Sequence, residues 1–566
     1  MFSYRLFDYL DAQVFTNPNA YALAHREKGN WIKTTFQDYK AKANLVSKAL
    51  IDLGISKGDM IGSISINRSE WNFLDIGILQ VGAIHVSLHP AYSVNDVIYI
   101  LKQTELNYFF CGNRILYKLL LPHLKELTFM KGIYCFDEGE NIVSWNSILP
   151  TSITESDEIA INERKDQIKP DDVATILYTS GTGGNPKGAI HTHTTFGAFA
   201  EHLTNNYYLK EADIALSVLS ISHAFERLHY YFYLKQGVTV YFADSSALLT
   251  QQVKEVKPNQ IVCVPLIIEG FYKALTQKYI QENNTEAIAA IQYTSHFDYK
   301  KKEDFFASEA YQQHQKYYEL WNEELGGAFK QIITGAAMIP EYLVQFFWSI
   351  KIPLFECYGS TEALLHTVNH ENFKYKTGTV GLPLAYAEVK INNDDEIWMK
   401  SKSNMKGYYK LGKLTKALLD DDGWYHTGDT GFIDEDGFLH IEGRASTIFK
   451  LMNGKYLNPE LIEQELCASH LIKNMFITQD ANMSLLAVIR PNTSDVITTE
   501  DKENIIQYIQ KSYNAKMLDS EKIEKVIFTL DNWTIESEEY TPTMKLKRKI
   551  LVSKYQPLFH QAITII

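Results

Sequence analysis

The sequence predicts an α/β protein with a large N-terminal body and a small C-terminal domain, and three observations predict it. Helical and strand-like spacing alternate from about Thr35 to Asn107. The same alternation recurs through Ile214 to Tyr241, Gln260 to Tyr279 and Gln331 to Leu354. Beyond Leu382 the texture changes to short β-like runs separated by Asp-Gly turns, and the 122 residues after Arg444 suffice for a small α/β unit.

Element by element, Phe36 to Leu53 has helical spacing, Met60 to Ile66 is a short apolar run, and Trp71 onward is helical again. The longest apolar stretch, Trp71 to His89, is broken by Asp75, Gly77, Gln80, Gly82 and His85, which predicts a buried helix plus strand rather than a membrane span. Asn283 to Glu323 is rich in Gln, Lys and Glu and predicts a solvated helical insertion. Turns are expected at Asp422-Gly423 and Asp436-Gly437, with a strand over Phe438 to Ile441 after the second. A boundary at Gly443-Arg444 divides the chain into 1–443 and 444–566; in the second part Leu485 to Ile489 is strand-like and Asn504 to Met517 helical.

The 566 residues, 45% apolar and 22% charged, exclude a disordered or low-complexity chain. A net charge of −13 speaks against nucleic acid as a partner and does not favour anionic lipid, so any phosphate site must be local. The five cysteines, Cys111, Cys135, Cys263, Cys357 and Cys467, contain no C-x-x-C pair and fit a reducing cytoplasm. Met1 to Arg5 reaches Asp8 and Asp11 before any apolar stretch, so no secretory signal is expected.

The chemistry concentrates after one strand. Val173 to Tyr178 is a buried-strand signal that runs into Thr179-Ser180-Gly181-Thr182-Gly183-Gly184-Asn185-Pro186-Lys187-Gly188. Glycines let main-chain N–H groups approach an anion, Thr and Ser add donors, and Lys187 supplies a compact charge, which together make a polyphosphate cradle. A Walker A loop is excluded by the order Lys187-Gly188, and a dinucleotide fingerprint by Pro186. Ala189 to His193 alternates like a strand, so the loop is expected to join two strands as a hairpin; a Gly-rich surface loop without chemistry is the bland alternative. His191 and His193 on one strand face offer two metal ligands but no third.

Thr179 to Gly188 resembles the phosphate loop of the adenylate-forming superfamily of acyl-CoA synthetases, luciferases and peptide-synthetase adenylation domains. Five further blocks follow in that family's order: Thr334-Gly335-Ala336-Ala337, Tyr358-Gly359-Ser360-Thr361-Glu362, Trp424 to Asp429, Gly443-Arg444 through Lys450, and Thr541-Pro542-Thr543-Met544-Lys545. Leu219 to Arg227, Asn67 to Trp71 and the block ending in Lys547-Arg548-Lys549 are most similar to the bacterial AMP-forming long-chain fatty acid–CoA ligases. The resemblance implies mixed sheets flanked by helices, a mobile C-terminal domain, and a ligase that uses ATP, Mg²⁺ and coenzyme A on a medium- or long-chain fatty acid. Loading of a carrier protein, or a degenerate nucleotide- or lipid-binding homologue, are the alternatives. A lipid substrate leaves room for peripheral contact with the inner membrane face, although no basic amphipathic helix marks it.

The resemblance also implies roles. Lys545 would reach the carboxylate and α-phosphate, with one cation of a solvated basic tail as its plain alternative. Glu362, with Thr182, would hold Mg²⁺ against the phosphates; a carboxylate at a helix N-terminus is the alternative for Glu362. Thr179, Ser180, Gly181, Thr182, Gly183, Gly184 and Lys187 would cradle the phosphates. Tyr358, within Tyr358-Gly359-Ser360-Thr361, would lie against adenine, with Gly335, Ala336 and Ala337 leaving room for the base or merely packing closely. Asp429 would take the ribose hydroxyls with Arg444 as its partner, or cap its own turn. Lys450 is associated with the second half-reaction, and His223 with Phe225 forms a gate to the acyl pocket, unless His223 is a core histidine. The aromatic run His229 to Leu234 is expected to be a packed helix. Five positions depart from the family: Gly183 replaces a second threonine, Ser446 and Thr447 replace a charged hinge, Asp395 replaces Gly, and Leu266 follows Pro265 where Arg is common.

Overall fold

The computed structural model describes residues 4–565 apart from 180–184, 205–208, 373, 446, 452–455, 481, 494–495 and 542–543, and apart from the side chains of 204, 246, 450 and 456. The expected α/β organisation is present. A helix over Phe36–Asp52 begins where the Thr35 hydroxyl accepts from Asp38 N at 3.1 Å, and it buries Phe36, Tyr39, Ala43, Val46 and Leu50 at helical spacing. It packs on the helix Ser69–Gln80, in which every residue but Glu70 is buried. Gly77 permits that approach, since a Cβ there would lie 2.5 Å from Val46 Cγ1.

Two sheets form the body. One has six strands in the order Gly132–Cys135, Tyr108–Cys111, Met60–Ile64, Ile84–Leu88, Val173–Thr179 and Lys187–Thr192, parallel except for the last pair. The other has nine strands, running from Leu382–Pro383 through Leu364–Val368, Leu354–Ser360, Gln331–Thr334, Gln260–Cys263, Ile214–Ser217, Thr239–Phe242 and Tyr21–Glu27 to Asn30–Thr35. Its interior is parallel, and the buried central strands are the short continuous apolar runs that helix-covered parallel sheets require. A smaller antiparallel sheet follows, made of Ala387–Ile391, Glu396–Ser401, Tyr425–Ile433 and Leu439–Arg444. The last sheet, Ile472–Gln479, Leu485–Pro491, Ile523–Phe528 and Ile563–Thr564, has cores of its own on both faces, around Leu485, Ala487 and Ile489 on one and Phe476, Leu486 and Val488 on the other.

The two large sheets are joined by a buried polar knot. Asp75, on the helix Ser69–Gln80, accepts from Arg227 and, at 2.7 Å, from Tyr231, both on the helix Ala224–Gln236. His85 Nδ1 is 2.6 Å from Asp75 Oδ1, and its Nε2 is 2.6 Å from Ser63 Oγ. Desolvation alone would raise the Asp75 pKa, but Arg227 and His85 outweigh it and hold the carboxyl below its ordinary value.

Two expectations need correction. Asn283 to Glu323 is helical but not simply solvated: the helix Glu309–Glu324 buries Tyr311, Tyr317, Tyr318 and Trp321, and Phe297 and Phe305 are buried beside it. A polar average over two helix faces conceals the aromatic stripe on one of them. His191 and His193 do not share a strand face, because the strand ends at Thr192 and His193 opens the helix His193–Thr204. His193 Nδ1 instead accepts from Leu6 N at 3.3 Å, and no metal-ligating cluster occurs among the described residues. The run His229 to Leu234 is buried in a helix, as expected. Among the described residues, no helix is long and apolar enough to cross a membrane.

Candidate active site

Ligands in open α/β sheets bind beyond the carboxyl ends of the parallel strands, and the sequence blocks collect there. Val173–Thr179 and Lys187–Thr192 form the expected antiparallel hairpin, with Thr179 opposite Lys187 and Tyr178 opposite Gly188. Gly188 lets the arms close, since a Cβ there would be 2.7 Å from Ile176 Cγ2. Ser180, Gly181, Thr182, Gly183 and Gly184 lie outside the described residues, as does Ser446. The Lys187 ammonium lies 5.9 Å from the centre of the Tyr408 ring.

Gly335, Ala336 and Ala337 follow directly on the strand Gln331–Thr334. A side chain at Gly335 would meet Cys357 Sγ at 2.8 Å and the Cys357 carbonyl at 2.9 Å, so the close packing there is real, while Ala336 and Ala337 stay exposed. Tyr358 lies near the end of the next strand, and its hydroxyl donates to Asp429 Oδ2 at 2.7 Å. Arg444 Nε donates to Asp429 Oδ1 at 2.8 Å and Nη2 donates to the Thr427 carbonyl at 3.3 Å. Asp429 and Arg444 face each other across the antiparallel pair Tyr425–Ile433 and Leu439–Arg444, so Asp429 does not cap a turn of its own.

Glu362 sits in the reverse turn between the antiparallel strands Leu354–Ser360 and Leu364–Val368. No helix begins there, which removes the helix-terminus explanation for this carboxylate. The turn is tight because Gly359 lies against the Leu364 carbonyl, where a Cβ has no room, and because Ser360 Oγ accepts from Ala363 N at 3.1 Å. The Thr361 carbonyl is 2.8 Å from His191 Nε2. Glu362 Oε1 accepts from the Tyr408 hydroxyl at 2.6 Å.

Lys545 comes from the far end of the chain. Its loop is closed by Thr541, whose N donates to the Lys545 carbonyl at 2.8 Å and whose Oγ1 accepts from Lys545 N at 3.0 Å. Met544 is held at φ +60°, in the left-handed region. Desolvation lowers the Lys545 pKa, Arg444 lowers it further, and Glu460, Asp429 and Glu362 oppose the fall. The residue as a whole is exposed. Its ammonium thus feels the charges of Arg444, Glu460, Asp429 and Glu362. His223 caps the helix Ala224–Gln236, with Nδ1 accepting from Phe225 N at 3.3 Å. Burial lowers its pKa to about 3, with His89 and Lys545 adding to the effect, so the imidazole is neutral near pH 7. Lys450 lies in the short strand Phe449–Lys450, and its side chain is outside the description.

Tyr358, Asp429 and Arg444 thus form one hydrogen-bonded set, Lys545 and Glu362 act on it electrostatically, His223 feels Lys545, and Lys187 lies beside Tyr408, which holds Glu362. Tyr408 escaped the sequence reading: Gly407-Tyr408-Tyr409 carries no charge pattern or motif spacing of its own. The basic tail is also not uniformly solvated, because Arg548 donates to both oxygens of buried Glu463, at 3.0 and 2.6 Å.

The profile of the AMP-binding enzyme family matches residues 10–409. The chain belongs to that family. Among its relatives is the long-chain-fatty-acid–CoA ligase FadD15 of Mycobacterium bovis, 27% identical, with 93% of this chain and 92% of that protein covered. The fatty acyl-CoA synthetase A of Dictyostelium discoideum is 25% identical, with 95% and 86% covered. In fold, this AMP-binding chain is similar to the anthranilate CoA ligase AuaEII solved with anthranoyl-AMP, at TM-score 0.76, 18% identity and 98% coverage of both chains.

A buried acid beside the cleft has a measurable consequence for this family member. Burial pushes the Glu356 carboxyl up to about 8, against a donation from Asn369. The folded state therefore keeps a proton that the unfolded chain releases near 4.5, so stability falls as pH rises from about 4.5 to about 8 and is level above that. Glu356→Gln is expected to flatten that decline by up to a few kcal/mol, read from urea midpoints at pH 5 to 9; an unaltered slope would show that the acid is ionised in the fold.

Proposed function

We propose that this chain is an ATP-dependent, AMP-forming ligase that activates a medium- or long-chain fatty acid and passes the acyl group to coenzyme A. The observation that carries the reading is the linked set Tyr358, Asp429 and Arg444, which with Glu362 lies within the electrostatic reach of Lys545 from the C-terminal block. The names of relatives at 27% and 25% identity over most of the chain support the substrate class.

Joining a carboxylate to the α-phosphate of ATP makes two anions meet, so positive charge must screen the approach. Lys545 supplies it at the carboxylate and α-phosphate. Thr179, Lys187 and the intervening Ser180, Gly181, Thr182, Gly183 and Gly184 cradle the phosphates. Asp429, oriented by Tyr358 and Arg444, accepts from the ribose hydroxyls, and Gly335, Ala336 and Ala337 leave a flat space for the base. Glu362 is a hard oxygen donor whose second oxygen has no hydrogen-bond partner among the described residues, so it suits Mg²⁺, and Thr182 would be the second ligand; the bound ion would neutralise phosphate charge. The fatty acid oxygen attacks the α-phosphorus and pyrophosphate leaves. Residues 444–566 then reorient with Lys450, the CoA thiolate attacks the acyl carbonyl carbon, and the bond to AMP breaks. His223, neutral and seated at a helix start, stands between the nucleotide groups and the acyl chain. Each buried methylene adds about 0.8 kcal/mol of binding, which favours long acids over acetate.

The test is AMP formation with saturated acids of increasing length, with and without CoA. Thioester yield that rises with chain length is expected. Acyl-AMP that accumulates with CoA present but is consumed by a carrier-protein thiol would replace the ligase reading, and binding of ATP without pyrophosphate release would mark a degenerate homologue.

A further inference from the structure

Residues 405–409 form a strap that touches two parts of the cleft at once. Met405 N donates to the Glu362 carbonyl at 2.7 Å. Lys406 N donates to the Ile190 carbonyl at 2.9 Å, Ile190 N returns a bond to the Gly407 carbonyl at 3.0 Å, and Tyr409 N donates to the Gly188 carbonyl at 2.8 Å. The strap thus pairs with the outer arm of the phosphate hairpin through one isolated antiparallel bridge, Tyr408 opposite Ala189, and is pinned at the other side to the Glu362 turn. Tyr408 lies at its centre. Its N donates to Thr415 Oγ1 at 2.9 Å, and Gly407 permits that contact, since a Cβ there would be 2.6 Å from Thr415 Cγ2. The Tyr408 ring lies under the Lys187 ammonium, and its hydroxyl donates to Glu362 Oε1 at 2.6 Å.

We propose that Tyr408 is a positioning residue for metal-bound nucleotide: its hydroxyl fixes one oxygen of Glu362 so that the other faces the cation, while its ring sets the distance between that carboxylate and Lys187. The proposal rests on the role of Glu362 given under the proposed function. A carboxylate on a free side chain rotates, and holding it costs rotamer entropy whenever a cation binds; a phenol already bonded to one oxygen removes part of that cost beforehand. Tyr408 is only 5% exposed, so water does not compete for the bond.

Tyr408→Phe deletes the hydroxyl and keeps the ring under Lys187. Titration calorimetry of the full chain with ATP is expected to show binding about tenfold weaker than wild type in Mg²⁺, and equal to wild type within about twofold in EDTA, with the unfolding midpoint within about 2 °C. Added to Glu362→Gln, the same change is expected to cause no further loss. Equal weakening with and without Mg²⁺, undiminished affinity in both, a full additional loss in the Glu362→Gln background, or a midpoint lowered by more than about 5 °C would each overturn the proposal, because the hydroxyl would then serve the nucleotide directly, nothing, or the fold. Failure of the underlying reading is seen separately, as a wild-type chain whose ATP binding is indifferent to Mg²⁺.

Discussion

Lys545→Ala is expected to slow pyrophosphate release by at least about a hundredfold while leaving the unfolding midpoint unchanged. Two negative reactants have to touch, and a positioned cation in a site of reduced dielectric is worth at least about 3 kcal/mol to that encounter, by comparison with single oxyanion donors elsewhere. The fold does not depend on the side chain. Lys545 is exposed, and its loop is closed by backbone bonds to Thr541 that alanine would keep. Continuous pyrophosphate detection with a saturating fatty acid measures the first number and thermal denaturation the second. Retention of more than a tenth of the rate would mean that Lys545 is a solvated tail cation after all. Its lowered pKa adds a sign: the ammonium loses its proton at lower pH than an ordinary lysine, so activity should decline on the alkaline side before pH 10.5.

Arg227→Ala should cost about 3 to 5 kcal/mol of stability, the second large effect. The guanidinium is wholly buried, donates to Asp75, to Ser87 Oγ at 2.9 Å and to the Ile221 carbonyl at 3.2 Å, and no water can replace it. Truncation strands the Asp75 carboxylate in the interior. The diagnostic result is non-additivity: Arg227→Met combined with Asp75→Leu should destabilise by less than either single change, because no charge is then left without a partner. Urea midpoints of the three variants decide it. Additive losses would show that the knot contributes packing rather than charge compensation.

Much of the site was legible because its chemistry is local in sequence. A strand, a glycine- and hydroxyl-rich loop and a lysine in a second strand announce a hairpin, and Val173 to Thr192 forms one. The pairing of Asp429 with Arg444 was implied by the resemblance, and the sequence holds a physical signal for it too: the Asp436-Gly437 turn lies midway between them, so a hairpin folded there brings them together. Other features depend on partners far away in the chain. Tyr408 acquires meaning only when the 405–409 strap meets Ile190 and a side chain meets Glu362, 46 residues earlier. Arg227 was visible as a branch signature, but its partner Asp75 is 152 residues away and nothing in the sequence joins them. The turn that carries Glu362 was open to a helical reading because the short run after Tyr358 suits a helix start as well as a hairpin; the Leu364 carbonyl packed on Gly359 settles the hairpin.

The position of Arg444 carries one more consequence. It is the last residue of the strand Leu439–Arg444 and also the first covalent step toward the C-terminal sheet. In the proposed reaction, where residues 444–566 reorient and Asp429 takes the ribose hydroxyls, a turn of that sheet would pull on the same side chain that grips Asp429, so rotation and nucleotide departure would be geared together.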